Sequence, residues 1–360
     1  MPYTEIVTSL KVVTLEVSEH TREKALRVVV GSAVHRGEDV PTKGFLTVFE
    51  ILDVVPEPDV PETGVKLSEV AREETKGPVT TVESFPHGLV GIAQGQKLMI
   101  RGLREEGSCL PVAFLDAQAY TSTLKTLGKS GFWMAGDAWK GLWFGGFTEE
   151  PYKLTVLGKS RTRLEVMAAE FLPYSGELFI LIIDAEMDLH VLQFDPENPK
   201  SLSGSRLLHR STFHLGHFPT SMHLVPSSLA PFNNQPMMNS NTNSDTEDQD
   251  TPLLHVLTTF QSGAVGLITP LDEDTYRRLS ALQTHLTSIL EHPAGLNPRA
   301  YRSAEGEGLG TRGVIDGGII QRISELGSAR RAEVLSRAGG DAWGLRSDLE
   351  IIGGGGLAYL

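Results

Sequence analysis

Short apolar runs paired across tight polar turns recur through the first three quarters of this chain. Residues 88–103 (GLVGIAQGQKLMIRGL), 131–147 (GFWMAGDAWKGLWFGGF), 177–194 (ELFILIIDAEMDLHVLQF) and 253–267 (LLHVLTTFQSGAVGL) each read as strand, turn, strand. The turn residues are Gln94-Gly95, Gly136-Asp137, 184–188 and 261–263, where Gly and Asp supply the left-handed or side-chain-bonded backbone of a tight reversal. A fifth hairpin joins 26–31 to 44–52 through a longer polar turn, 35–43. The markers Gln94, Asp137, Asp184 and Gln261 lie about 43, 47 and 77 residues apart, and four-stranded propeller blades repeat at about 40–45. The pattern predicts a mainly β chain of WD40-like β-propeller blades over residues 1–270. A seven-bladed ring needs roughly 280 residues, so an incomplete propeller is expected, with further blades before Met1; a complete small propeller or an open sandwich is the alternative.

The long third interval holds an insertion at about 227–250, which includes the acidic run Ser244-Asp245-Thr246-Glu247-Asp248-Gln249-Asp250. With almost no large aliphatic side chains it cannot offset its ordering entropy, and a disordered surface loop is expected. Ser244 and Thr246 sit among acidic residues as candidates for phosphorylation, although a solvated filler loop is the simpler reading. The segment 54–62 (VVPEPDVPE) reads as a stiff inter-blade loop. From Leu271 the period changes. Asp272 or Asp274 caps a predicted helix whose Tyr276, Leu279, Leu282, Leu286, Ile289 and Leu290 share one face. Pro293, Gly295 and Pro298 end it. Two shorter helices are expected around 314–326 and 328–338, the second capped by Ser328, and the tail 353–360 is too glycine-rich to continue a helix. Residues 271–360 therefore read as a small C-terminal α-helical domain.

Composition narrows the function. Apolar residues at 40% and charged residues at 21% are ordinary for a folded chain. The formal charge of -13 weighs against strong nucleic-acid binding, which depends on Lys and Arg displacing counterions, so any RNA contact must be local or indirect. A single cysteine, Cys109, leaves no intramolecular disulfide and no multi-cysteine zinc site, and reads as a buried small apolar residue. The longest apolar run, 178–183, is strand-sized, and the first residues carry no basic and apolar signal segment; an intracellular chain with no membrane partner is expected.

Candidate chemistry is sparse. His209, His214, His217 and His223 cluster, but without the helical spacing and adjacent Glu of a zinc site. Gly306, Gly308, Gly310 and Gly313 lack the preceding strand and Gly-Lys-Ser/Thr ending of a phosphate loop and read as a connector. Asp184, Glu186 and Asp188 alternate along a hairpin turn and read as turn solvation. Phe132, Trp133, Trp139, Trp143, Phe144 and Phe147 could stack on bases, but blade cores also need aromatics and Lys140 is the only cation among them. No cofactor, metal or catalytic residue is expected.

The run 263–302, with Thr275-Tyr276-Arg277-Arg278-Leu279 and Pro293-Ala294-Gly295-Leu296-Asn297-Pro298-Arg299-Ala300-Tyr301-Arg302, closely resembles the C-terminal region of the large subunit of the cleavage and polyadenylation specificity factor. Val54-Val55-Pro56-Glu57-Pro58, Lys76-Gly77-Pro78-Val79-Thr80, Ala113-Phe114-Leu115-Asp116, Arg206-Leu207-Leu208-His209-Arg210 and Phe213-His214-Leu215-Gly216 follow in the family's order. The large damaged-DNA-binding subunit of ubiquitin ligases and a propeller subunit of the splicing factor 3b complex are less similar. The resemblance implies a C-terminal part of a larger, multi-propeller nuclear scaffold without catalytic activity. It would hold the factor's other subunits while they recognise the polyadenylation signal in pre-mRNA, with RNA contact indirect or weak. A related adaptor in DNA repair, ubiquitination or splicing is the alternative. Two departures stand out: nothing N-terminal to the last propeller is present, and 339–360 turns glycine-rich where the family continues helically. Partner-facing residues are expected to be Tyr276, Arg277 and Arg278 on the helix and Asn297, Arg299 and Tyr301 after it, unless the helix simply packs on the blades.

Overall fold

The computed structural model describes residues 4–55, 64–226, 254–292, 294–303 and 310–353, without the side chains of 298, 299, 351 and 352. Strand-forming runs lie close in sequence and are joined by short reversals, so each pairs with its predecessor. The result is a series of antiparallel meanders: β1 (Thr4–Glu16), β2 (Lys24–His35), β3 (Lys43–Asp53) and β4 (Val65–Thr75); β5 (Val79–Phe85), β6 (Leu89–Gln94), β7 (Lys97–Leu103) and β8 (Cys109–Asp116); then β9 (Thr121–Thr126), β10 (Phe132–Asp137), β11 (Gly141–Thr148) and β12 (Lys153–Lys159). The fourth sheet is β13 (Val166–Tyr174), β14 (Glu177–Asp184), β15 (Asp188–Phe194) and β16 (Leu208–His214). The fifth has three strands, β17 (Pro219–Pro226), β18 (Leu254–Phe260) and β19 (Val265–Ile268). The five hairpins legible in the sequence are the second and third strands of the first four sheets and the last two strands of the fifth, and the mainly β, propeller-blade class is borne out. The expected insertion at 227–250 lies outside the described residues, between β17 and β18.

The chain divides into two compact units, residues 1–169 with 194–208, and residues 170–193 with 209–360. In the first, β5 lies beside both β1 and β9, so the leading strands of consecutive sheets adjoin as inner blade strands do. Two cores result. Val13, Leu15, Val29, Leu46 and Val48 meet Val79, Val82, Val90 and Ile92 between the first two sheets. Leu98, Ile100 and Phe85 meet Leu124, Trp133 and Phe147 between the second and third. Each such aliphatic side chain contributes about 1.5–3 kcal/mol on burial. Trp133 is fully buried because Gly145 faces it; a Cβ there would fall 2.3 Å from the indole ring.

The second unit holds most of the fourth sheet, the fifth sheet and the helices α1 (Glu273–Ile289), α2 (Pro298–Tyr301), α3 (Gly317–Gln321), α4 (Ser328–Arg337) and α5 (Ala342–Ile352). Leu279, Leu282 and Leu286 of α1 pack against Ile319, Ile320, Ile323, Leu326, Val334, Leu335 and Leu345. Four readings need correction. Ile289, placed on the buried face, is exposed, because it is the last helical residue of α1 and lies at the rim of the stripe formed by Leu279, Leu282 and Leu286. Ser328 is the first helical residue of α4 rather than its cap; Gly327 occupies that place, with no side-chain bond. The segment 54–62 connects β3 and β4, which pair within one blade, and is not an inter-blade loop; the Val54 N–H donates to the Gly64 carbonyl across its base. Residues 342–352 form α5, a helix the glycine-rich surroundings concealed.

Candidate functional site

The helical part of the second unit is built from its caps inward. The Asp272 carboxylate accepts the Thr275 N–H at 3.1 Å, and the hydrogen bonds from Thr275 hold that carboxyl below its usual range. Glu273 and Asp274 add negative charge to the first turn, where the helix dipole favours it. Beyond this start, Tyr276 is half-buried and its hydroxyl accepts the Gly313 N–H at 3.0 Å. Arg277 is exposed and pairs with Glu273 one turn back. Arg278 donates to Asp348 of α5 at 2.9 Å and to Thr275 Oγ1 at 3.0 Å. The Asp348 side chain is nearly buried, so removing Arg278 would strand a carboxylate.

Asn297 is exposed and opens α2, its carbonyl accepting the Ala300 and Tyr301 N–H groups at 2.9 and 3.1 Å. Arg299 lies in α2, its side chain outside the described set. Tyr301 is half-buried, with the His292 ring at 5.2 Å and the Arg302 guanidinium at 5.0 Å. Tyr276 and Arg278 thus serve as internal braces of the helical part, whereas Arg277 and Asn297 face solvent.

The residue that organises this region is Arg302. Its Nη1 donates to the carbonyls of His214 and Leu215 at 2.9 and 3.0 Å, and its Nε donates to Asp316 Oδ2 at 2.9 Å. Its guanidinium lies over Phe213 at 5.0 Å, and its own carbonyl accepts the His214 N–H at 3.1 Å. Asp316 in turn caps α3 through Gly318, and its N–H donates to Gln283 of α1. One guanidinium therefore fastens the end of β16 to α1 and α3. The signal for Arg302 was its place at the end of the run Asn297-Pro298-Arg299-Ala300-Tyr301-Arg302; Asp316 was legible as a cap before Gly317-Gly318-Ile319-Ile320. A cavity of about 540 Å³ opens among α1, α4 and α5, lined by Arg278, Leu279, Leu335, Gly339, Leu345 and Asp348. Trp343, on α5 beside it, is 77% exposed.

In the fourth sheet the acidic turn differs from its reading as turn solvation, since Asp184 and Asp188 are buried and only Glu186 is exposed. Asp184 Oδ1 accepts the Glu186 and Asp188 N–H groups, and its Oδ2 lies 2.8 Å from His190 Nε2. His190 continues to His209 at 3.4 Å and His209 to Thr212 at 2.9 Å, while Asp188 meets His214 at 2.6 Å. Two of the four clustered histidines, His209 and His214, thus join a hydrogen-bonded network. His217 instead approaches Ser262 and Phe260, and His223 bonds Ser221. The one hydroxyl in the network, Thr212, is 2% exposed. A nucleophile must reach substrate, so the arrangement acts as a brace for β14–β16.

Antiparallel blades in a propeller arrangement, followed by helices that Arg302 ties to the end of β16, define a protein of the β-propeller class. The CPSF A subunit region matches residues 1–325. Similar relatives are Protein cft1 of Aspergillus fumigatus, 49% identical over 357 residues covering 99% of this chain and 25% of the relative; Protein cft1 of Neurospora crassa, 46% over 350 residues, 93% and 23%; and Protein cft1 of Schizosaccharomyces pombe, 34% over 348 residues, 96% and 23%. The chain belongs to the CPSF A subunit region family, as the resemblance implied. It spans about a quarter of the length of these relatives.

Proposed function

We propose that this chain is a non-catalytic scaffold segment of the nuclear machinery that cleaves and polyadenylates pre-mRNA 3′ ends. Blades over 1–270 give rigid faces, and a helical domain over 271–360 offers a groove to the other subunits of the factor. The observation that carries the reading is the family match across residues 1–325. Its partner-facing residues are Arg277, Asn297, Arg299 and Tyr301, while Tyr276 and Arg278 brace the helical part. Recognition of the polyadenylation signal is assigned to the partners.

The test is affinity purification of the tagged intact parent protein from nuclear extract, with and without RNase, followed by mass spectrometry. Polyadenylation-factor subunits are expected in an RNase-resistant complex. Recovery of ubiquitin-ligase or splicing components in their place would overturn the assignment.

A further inference from the structure

His190 and His209 stand out among the histidines of the fourth sheet. They lie on the neighbouring strands β15 and β16, and His190 Nδ1 faces His209 Nε2 at 3.4 Å. A hydrogen bond donated by a ring nitrogen favours about 2.9–3.0 Å and a straight approach, so the contact is long for one. The ring centroids are 5.3 Å apart and the planes meet at 52°. Two imidazoles joined by a straight hydrogen bond at this nitrogen separation would have their centres about 5.7 Å apart. Two imidazoles sharing one tetrahedral zinc ion, each nitrogen about 2.0–2.1 Å from the metal, place their nitrogens about 3.3–3.4 Å apart and their ring centres about 5.2 Å apart. The observed pair matches the second arrangement.

The hydrogen bonds around the pair agree with it. Asp184 Oδ2 lies 2.8 Å from His190 Nε2, and a carboxylate only accepts, so in the neutral ring Nε2 carries the proton and Nδ1 turns its lone pair toward His209. Asp184 is itself fixed by the Glu186 and Asp188 N–H groups, which donate to Oδ1. A carboxylate behind a histidine, setting its tautomer and orientation, is the support that metal-binding histidines carry. Thr212 Oγ1, 2.9 Å from His209 Nε2, puts a hydroxyl oxygen beside the same point. His190 and Thr212 are buried, whereas His209 is half-buried and gives an ion its way in.

We propose that His190 Nδ1 and His209 Nε2 bind a divalent zinc ion, with Asp184 orienting His190 and the Thr212 hydroxyl and water filling the remaining positions. Neutral imidazole suits this ion. The acidic turn beside it does not supply ligands, because Asp184 and Asp188 are engaged by His190 and His214. The ion pins β15 to β16, the strand whose end Arg302 holds through the His214 carbonyl, and makes the rigidity of this sheet depend on metal. The proposal goes beyond the scaffold reading and does not depend on it.

The experiment is isothermal titration calorimetry of zinc chloride into the untagged, chelator-treated full chain, with cobalt(II) as a spectroscopic stand-in. About one zinc ion per chain, a higher melting midpoint and a visible cobalt band of tetrahedral ligation are expected. His209→Ala should abolish zinc binding, and Asp184→Asn should weaken it about ten-fold. His217→Ala and His223→Ala, at exposed histidines outside the pair, should bind like the wild type. Melts without zinc establish that the variants fold. A wild-type chain that takes up no zinc, or that binds cobalt without the band, overturns the proposal with no variant needed. Zinc binding retained by His209→Ala also overturns it, as does loss from His217→Ala or His223→Ala in its place, which assigns the ion to surface histidines.

Discussion

Cys109 and His255 show how burial alone sets the behaviour of single side chains. Burial, with the Glu73 carboxylate nearby, pushes the Cys109 thiol up to about 12, so it stays protonated and unreactive in the folded chain. A thiol reagent at neutral pH is expected to leave Cys109 unmodified until denaturant is added, and rapid native labelling would contradict the packing. His255 is fully buried on β18 with neither ring nitrogen hydrogen-bonded, and burial holds it below its ordinary value of 6.5. The unfolded chain therefore takes up the proton first. His255 contributes no penalty above about pH 6.5 and a growing one as pH falls below it. Thermal melts at about pH 7.5 and about pH 5.5 should show a drop in midpoint that His255→Leu reduces.

Helix starts and clasps carry the energetics at the scale of elements. Asp272→Ala should cost about 1 kcal/mol because its carboxylate holds the Thr275 N–H, whereas Ser328→Ala should stay within about 0.5 kcal/mol because Ser328 caps nothing. Arg302→Ala, which strands the nearly buried Asp316 carboxylate and frees the end of β16, should cost about 2–4 kcal/mol by denaturant melts. Arg302→Lys should recover only part, since a single ammonium nitrogen cannot occupy both the Nη1 and the Nε positions that meet the carbonyls and Asp316. The blade hairpins were legible because turn chemistry and apolar alternation agree locally. Helix α1 was legible because Asp272, Leu279, Leu282 and Leu286 agree with one period. Helix α5 was not, since Gly340, Gly344 and Gly353 flank or interrupt it, and its packing through Leu345 and its Asp348 bond to Arg278 are supplied from α1 and α4. The Asp184–His190–His209 network was hidden for a related reason: strand pairing brings together residues whose spacing in sequence resembles no site.

For the whole molecule, the blade cores supply rigidity, and the scaffold reading proposed above puts partner docking on the helical part. The family was legible because 293–302 is a dense local signature, and within it Arg302 acts as a brace. Partners held through the helical groove are expected to stay bound as salt rises, since packing contacts are not screened. The most direct test of the scaffold reading compares the intact parent protein with variants carrying Arg277→Glu and Trp343→Ala, purified from RNase-treated nuclear extract and quantified by mass spectrometry. Several-fold lower recovery of polyadenylation-factor subunits from the variants, with unchanged expression and melting, is the predicted result. Full recovery from both variants would contradict the helical groove as the docking surface.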